Sequence, residues 1–290
     1  MWHRQLSTHD ERVVREFHRE ERLQERAVAL CAEGKRRGLI LSGSPGTGKT
    51  TRTCRVLDQL GASYGLAGAR LTGARLFEEL FRFRRCGFVA DDCDDALRDA
   101  HAVNLLKHAT ELPPRRRKLI WSTKAPPLRV DPAEFEITDD ELRCYDLDNE
   151  GRAVIRSFYY DGWVIIITNL YLPDLHRQKP HIGLQALLDR VTHLPQRHWD
   201  VESMMLRIEW LCAEEGLMTG MGLSLDEERE VLEFLRAHRR RFLSLTLRTA
   251  EKVAKARRDL PDLWRDLVLA DTAASTRPPA RWVAERGASR

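Results

Sequence analysis

Three short runs along the chain are apolar at nearly every position: 38–42 (Gly38-Leu39-Ile40-Leu41-Ser42), 86–90 (Cys86-Gly87-Phe88-Val89-Ala90) and 163–168 (Trp163-Val164-Ile165-Ile166-Ile167-Thr168). Hydrophobicity on both sides of a short run suits a strand covered on both faces, as in a parallel sheet. A further short strand is expected at 119–122. Between these runs the apolar positions recur with helical spacing, at 8–33 (Val13, Val14, Phe17, Leu23, Val28), 51–60, 76–83 and 95–112, the last stopped by Pro113-Pro114. Strands alternating with helices predict an α/β sheet. Residues 124–157 break the pattern with Pro126-Pro127, Asp131-Pro132 and Asn149-Glu150-Gly151, which reads as an insertion, about 115–160, containing a hairpin. From about residue 200 the period is helical throughout, at 201–215, 225–241, 245–258 and 263–269.

These runs predict an N-terminal helical segment (1–37), an α/β nucleotide-binding domain (38–198), a small all-helical lid (199–271) and a flexible tail (272–290) with Pro278-Pro279. Composition alters the picture little. Of 290 residues, 42% are hydrophobic and 32% charged, and the net charge is +4, too small by itself to indicate a polyanionic partner. Six scattered cysteines form no Cys-x-x-Cys pair, so neither a zinc site nor a disulfide framework is expected. No apolar run approaches the length of a membrane span, and no secretion signal is visible, so a cytoplasmic location without membrane contact is expected.

The candidate chemistry starts directly after the first apolar run. Gly43-Ser44-Pro45-Gly46-Thr47-Gly48-Lys49-Thr50 is a complete phosphate-binding loop between a strand and a helix. Its glycines allow successive backbone N–H groups to face a nucleotide phosphate, and the following helix, from Thr51, presents its N-terminus to the same charge. Lys49 is expected on the β- and γ-phosphates and the Thr50 hydroxyl on Mg²⁺. Asp91 and Asp92 follow the second apolar run. A carboxylate there can hold Mg²⁺ through water, and a second can orient the attacking water. Asp94 and Asp95 have the simpler reading of solvating the next helix. Asn169, directly after the third apolar run, supplies an amide for the γ-phosphate or the lytic water. Arg190 and Arg248, taken singly, read as ordinary surface and helix residues.

In this order (phosphate loop, acidic strand end, apolar strand ending in Asn, Leu187-Leu188-Asp189-Arg190, helical segment with Arg248) the chain resembles the AAA+ ATPase superfamily of P-loop NTPases over roughly residues 20–270. The resemblance implies a parallel sheet flanked by helices, followed by a helical lid. Gly43 to Thr50 match the Walker A loop, Asp91-Asp92 the Walker B carboxylates, Asn169 sensor 1, Arg190 an arginine finger acting on a neighbouring subunit, and Arg248 sensor 2. ATP or ADP and Mg²⁺ are the implied ligands, with a hexamer or helical filament as the assembly. A narrower resemblance, through Asp91-Asp92-Cys93-Asp94, Val103-Asn104-Leu105-Leu106-Lys107 and Phe158-Tyr159-Tyr160-Asp161-Gly162, is to AAA-family ATPases of tailed bacteriophages. One departure stands out: the second Walker B position is usually Glu, and Asp92 is one methylene shorter, so slow basal hydrolysis is expected.

The substrate is less sharply marked. Residues 67–73 contain no aromatic next to a glycine, which counts against a peptide-threading pore loop. Residues 236–258 carry Arg236, Arg239, Arg240, Arg241, Arg248, Lys252, Lys255, Arg257 and Arg258 against one acid, Glu251. Such a face suits phosphate neutralisation, so DNA contact is expected through Arg236, Arg239, Arg240, Lys252 and Lys255. Arg115 to Lys118 form a second basic group beside the insertion, and the resemblance implies that a hairpin there reaches a central channel, where Lys118, Lys124 or Arg129 would face DNA. The expected function is ATP-driven remodelling of DNA or a DNA–protein complex. The alternatives are a protein-remodelling chaperone and an ATP-dependent scaffold or switch with little hydrolysis.

Overall fold

A computed structural model describes residues 7–68, 71–111, 117–121, 127–179 and 183–276. Expectations for Arg115, Arg116, Lys124 and residues 277–290 fall outside the described residues. The elements run α1 (Thr8–Ala32), β1 (Gly38–Ser42), α2 (Lys49–Gln59), β2 (Tyr64–Ala67), α3 (Gly73–Arg82), β3 (Gly87–Ala90), α4 (Asp94–Arg98), α5 (Ala100–Ala109), β4 (Lys118–Ile120), β5 (Leu128–Val130), α6 (Asp139–Leu142), β6 (Asp146–Leu147), β7 (Ala153–Ile155), β8 (Ser157–Tyr159), β9 (Val164–Thr168), α7 (Leu172–Gln178), α8 (Leu184–Leu188), β10 (Thr192–Pro195), α9 (Val201–Glu215), α10 (Leu225–His238), α11 (Leu247–Asp259) and α12 (Trp264–Thr276). They fall into two compact units, Glu21–Ser44 with Lys49–Arg197, and Met1–Glu20 with Pro45–Gly48 and His198–Arg290.

The first unit is built on a sheet of order β10-β1-β9-β3-β2. Every pairing in it is parallel. The three apolar runs form its centre, and β1, β3 and β9 are buried at every position. Side chains alternate between the faces of a strand. Leu39, Leu41, Ile165 and Ile167 therefore enter one cluster, with Val28 and Leu57, while Ile40, Val164 and Ile166 enter another, with Phe77, Leu80 and Leu106. The expected fold class, a parallel sheet flanked by helices and followed by a helical region, is what the chain adopts.

The insertion is more ordered than its sequence suggests. β4 and β8 pair antiparallel, and between them β5, β7 and β6 form a separate three-stranded sheet. The expected hairpin is β6–β7, closed at Gly151 with φ +75°. Arg84, buried after α3, holds the segment in place. Its Nη1 donates to the Phe81 and Phe135 carbonyls, its Nη2 to the Glu136 carbonyl, and Nε and Nη2 reach Glu141 at 3.1 and 2.8 Å.

The second unit buries Met204, Ile208, Leu211, Val231, Leu235, Ala250, Val253 and Trp264 from α9 to α12, together with Val13 and Phe17 of α1. Its helices begin at side-chain caps: Asp200 accepts from Ser203 N, Ser224 and Glu227 form a reciprocal box, and Thr246 accepts from Thr249 N.

Several expected boundaries shift. The single helix at 95–112 is two helices, because Asp99 is extended and its side chain accepts from the His101 N–H (2.8 Å) and the Gly73 N–H (3.3 Å). The expected strand 119–122 is β4, ending at Ile120. The helix expected at 225–241 ends at His238 and continues as one 3-10 turn, Arg239–Arg241. The last helix runs to Thr276, through the start of the expected tail, as its apolar face (Trp264, Val268) continues the core.

The Arg84 clip makes the stability pH-dependent. Burial alone raises the Glu141 carboxyl, but bonds from Arg84, the Thr138 backbone and Arg85 outweigh it and hold the group at about 2. A depressed carboxyl contributes stability that is complete above its unfolded value, about 4.3, and is lost as pH falls through the folded one. Glu141→Gln is expected to lower the melting temperature at pH 7, by on the order of 1 kcal/mol in stability because solvent screens this partly exposed pair, and the gap to the wild type should narrow as pH falls below about 4. Thermal melts of both proteins across pH 3–7 check this; a gap independent of pH contradicts it.

Candidate phosphate-binding site

Parallel strands carry all their C-terminal ends to one edge of the sheet, which is where open α/β sheets place ligand-binding residues. Here the edge gathers the loop after β1, the acidic turn after β3 and Asn169 after β9. The register aligns them: Ser42 pairs with Thr168, and Ala90 with Ile166.

The loop is glycine-rich for a local reason. Gly43, Gly46 and Gly48 have φ of +146°, +70° and +85°, the region that side chains disfavour. Gly43 also lies so close to Gln196 that a Cβ there would stand 2.9 Å from its Cβ. The reversal turns carbonyls toward Lys49, which begins α2 and is 5% exposed. Its ammonium donates to the Gly43 (2.8 Å) and Ser44 (2.7 Å) carbonyls and to Asn169 Oδ1 (3.3 Å). The first turn of α2 carries no acid, so the positive end of the helix meets no carboxylate of its own. A polyphosphate suits both features, the aligned N–H groups and the ammonium.

The acidic turn meets the loop through Thr50. Its hydroxyl donates to Asp91 Oδ1 at 2.8 Å. Adjacent ligands of an octahedral Mg²⁺ at about 2.1 Å stand about 2.9 Å apart, so this oxygen pair fits one edge of such a shell. Among the described residues no cluster of three or more His, Cys, Asp or Glu forms a protein cage for a metal. Two protein oxygens, with water and phosphate completing the shell, is the usual arrangement for Mg²⁺ beside a nucleotide.

Asp92 is exposed and has φ +49°, a left-handed conformation rare for a residue with a side chain. Its N–H donates to Asp91 Oδ1 (3.1 Å), and its Oδ1 accepts from Asn169 Nδ2 (2.8 Å). The structure thus brings Lys49, Thr50, Asp91, Asp92 and Asn169 into one hydrogen-bonded set. Asp94 belongs to it as well. It was expected only to solvate α4, but its Oδ1 accepts from Thr168 Oγ1 (2.5 Å) and the Asn169 N–H (3.2 Å), fixing the end of β9. Only its place four residues after a buried strand hints at this.

Arg190 joins a different group. Its Nε donates to Glu111 at 3.2 Å and its Nη1 to the Ala186 carbonyl, and the side chain is 35% exposed. Arg248 lies in the first turn of α11, just after the cap Thr246, and the Leu247 N–H donates to the Gly46 carbonyl at 3.1 Å. A cation at a helix N-terminus opposes the helix dipole, and a shared anion relieves both. Arg248 lines a cavity of about 610 Å³ with Pro45, Gly46, Phe242 and Thr249.

The basic helices look different once folded. Arg236 pairs with Glu209 (2.7 Å), Arg239 with Glu202 (2.7 Å) and Lys252 with Asp271 (2.7 Å). Three of the five cations expected to meet DNA therefore already face carboxylates drawn from outside 236–258, which weakens the field of that surface.

No family model matches the chain, and no curated protein matches it. Among solved structures it is similar to a DNA replication initiation factor (11% identity over 88% of this chain and 62% of that one, TM-score 0.39). It is also similar to a RuvB mutant from Thermotoga maritima (14%, 82% and 64%, TM-score 0.42) and to the replication initiator DnaA bound to AMPPCP and single-stranded DNA (13%, 83% and 62%, TM-score 0.40). The chain spans about three fifths of the length of these structures. The unit at 38–59 joins a fully buried strand, a loop with three glycines at positive φ and a helix that starts at Lys49. No described helix is long and apolar enough to cross a membrane.

The strain at Asp92 is testable without any ligand. Asp92→Gly removes a left-handed residue worth about 1 kcal/mol of strain and is expected to raise the melting temperature by a few degrees. Differential scanning calorimetry of the variant checks this, and an unchanged or lower value means that the Asp92–Asn169 bond outweighs the strain.

Proposed function

We propose that the chain is a Mg²⁺-dependent ATPase of AAA+ type that works as a ring or filament on DNA or on a DNA–protein complex. The observation that carries the reading is the set joined at one sheet edge: the buried Lys49 inside a left-handed glycine loop, Thr50 bonded to Asp91, and Asp92 bonded to Asn169.

In this reading the backbone N–H groups of residues 46–51, including Thr51, receive the phosphates, and Lys49 exchanges its loop carbonyls for phosphate oxygens. Thr50 and Asp91 hold Mg²⁺, which when bound neutralises the phosphate charge. Asp92 accepts a hydrogen bond from the attacking water. The Asn169 amide, fixed through Asp94, orients that water or the γ-phosphate. Arg248 places its charge beside the loop tip that its helix contacts. Arg190 serves a neighbouring subunit by leaving Glu111, which makes activity depend on assembly. The short, strained Asp92 carboxylate favours slow turnover, and with it the second reading, an ATP-dependent switch whose assembly carries the signal. For DNA, the support lies in the β4–β8 ribbon, where exposed Lys118 stands 5.9 Å from the ring of exposed Tyr159 next to exposed Ile120 and Arg156, a mixture of cation and ring suited to polynucleotide. In the helical unit, Arg240 and Lys255 are exposed cations of the kind expected to meet DNA.

Steady-state hydrolysis measured with and without duplex DNA tests the whole reading. Stimulation by DNA that falls with salt is expected, and Lys49→Ala should lower turnover by about 100-fold or more. Undiminished turnover in Lys49→Ala rejects the site, and no hydrolysis under any condition leaves the switch. The shared-site assignment has its own test. Arg190→Ala and Asp92→Asn should each be inactive alone, since a finger arginine contributes on the order of 10³-fold or more. Mixing the two should restore part of the activity, by pairing an intact Arg190 with an intact Asp92 across an interface. Mixtures as inactive as their components remove Arg190 from a neighbour's site.

A further inference from the structure

Two glutamines hold the two ends of the phosphate loop, and they hold each other. Gln24, in α1, is 1% exposed. Its Nε2 donates to the Lys49 carbonyl at 2.8 Å and to Thr53 Oγ1 at 3.2 Å, at the point where the loop becomes α2. Its Oε1 accepts from Gln196 Nε2 at 2.8 Å. Gln196 follows β10, and its own N–H donates to the Ser42 carbonyl at 2.7 Å, where β1 becomes the loop. Its Cβ and carbonyl fill the space beside Gly43 that any side chain there would need.

We infer that Gln24 and Gln196 are positioning residues for nucleotide binding, a brace in which their side chains join each other and the Lys49 carbonyl while the Gln196 main chain holds Ser42, fixing the separation of residues 42–43 and 49 and so the direction of the loop N–H groups. The inference rests on the ATP reading above for its function, but not for its geometry. Two features favour it over simple satisfaction of buried polar groups. A buried glutamine costs stability wherever a bond is imperfect, so a merely structural position suits an aliphatic residue better. The brace also bonds both ends of the loop, through the carbonyls of Ser42 and Lys49, and Thr53 one turn into α2. The neighbouring Arg52 meets Glu21 of α1 in a buried ion pair, so the N-terminal turn of α2 is held to α1 at a second point. A loop whose N–H groups must converge on one phosphate gains affinity when its ends are fixed beforehand.

The test uses the full chain and two readouts. The first is amide hydrogen exchange over residues 43–53 without nucleotide, with α10 as internal reference. The second is affinity for a fluorescent ATP analogue, with KM and kcat measured beside it. Gln24→Ala, Gln196→Ala and Gln24→Glu are compared; the last still accepts from Gln196 but has no donor for the Lys49 carbonyl. All three are expected to speed exchange across the loop severalfold while leaving α10 unchanged. They should weaken analogue binding and raise KM by about tenfold, with kcat changed much less, as for other residues that orient a binding shell. The double variant should be no worse than the worse single one, because the two act as one unit. Loop exchange unaltered in Gln24→Ala, or analogue binding equal to that of the wild type, overturns the inference even if the melting temperature drops. A wild type that binds no nucleotide, together with faster loop exchange in the variants, sustains the brace and removes the ATP reading instead.

Discussion

A buried ammonium has to find oxygens, and Lys49 finds them in the loop that carries it. Its position at the first residue of α2 points the side chain back along the loop, so the carbonyls of Gly43 and Ser44 must turn inward. That turn is open to a backbone with positive φ at residues 43, 46 and 48 and closed to most others, which is why those positions are glycine. The third acceptor, Asn169, comes from another strand. It is in reach because β9 lies next to β1 with Thr168 level with Ser42. The unbroken hydrophobicity of β1, β3 and β9 therefore does more than fill the core. It buries those strands at the sheet centre and brings their polar ends to one edge.

At that edge the polar groups restrain one another. Asp91 accepts from Thr50 and from the N–H of Asp92; Asp92 accepts from Asn169; Asp94 accepts from Thr168 and the Asn169 N–H. Carboxylates following one another in sequence repel, and donors placed between them offset that repulsion. With the left-handed backbone at Asp92, the two carboxylates meet different donors, Asp91 the Thr50 hydroxyl and Asp92 the Asn169 amide. Strain at one residue, held by its neighbours' bonds, is a common feature of sites where a side chain has to be aimed.

Charge is arranged differently in the two units. In the helical unit, the acids that neutralise Arg236, Arg239 and Lys252 arrive from α9 and α12. In the sheet unit, the insertion is tied down by Arg84, whose guanidinium is surrounded by carbonyls and Glu141. The exposed cation beside a ring, Lys118 with Tyr159, lies on the ribbon at the root of that insertion. A cation that keeps its charge toward solvent contributes to long-range attraction, and one already paired contributes little.

Much of this was legible in the letters. The loop, the strands before and after it, the acidic turn, Asn169 and the helical C-terminal half follow from short-range rules: glycine where φ is positive, apolar residues on both faces of a central strand, and a 3.6-residue period in a helix. Each depends on residues a few positions apart, so the sequence alone determines it. The break at Asp99, the ion pairs of the basic helices, the role of Asp94 and the Gln24–Gln196 brace were not legible. Apart from the local Asp99–His101 cap, their partners lie from 19 to 172 residues away along the chain. Which polar group meets which at such separations is decided by strand order and helix packing, and only the tertiary structure sets those.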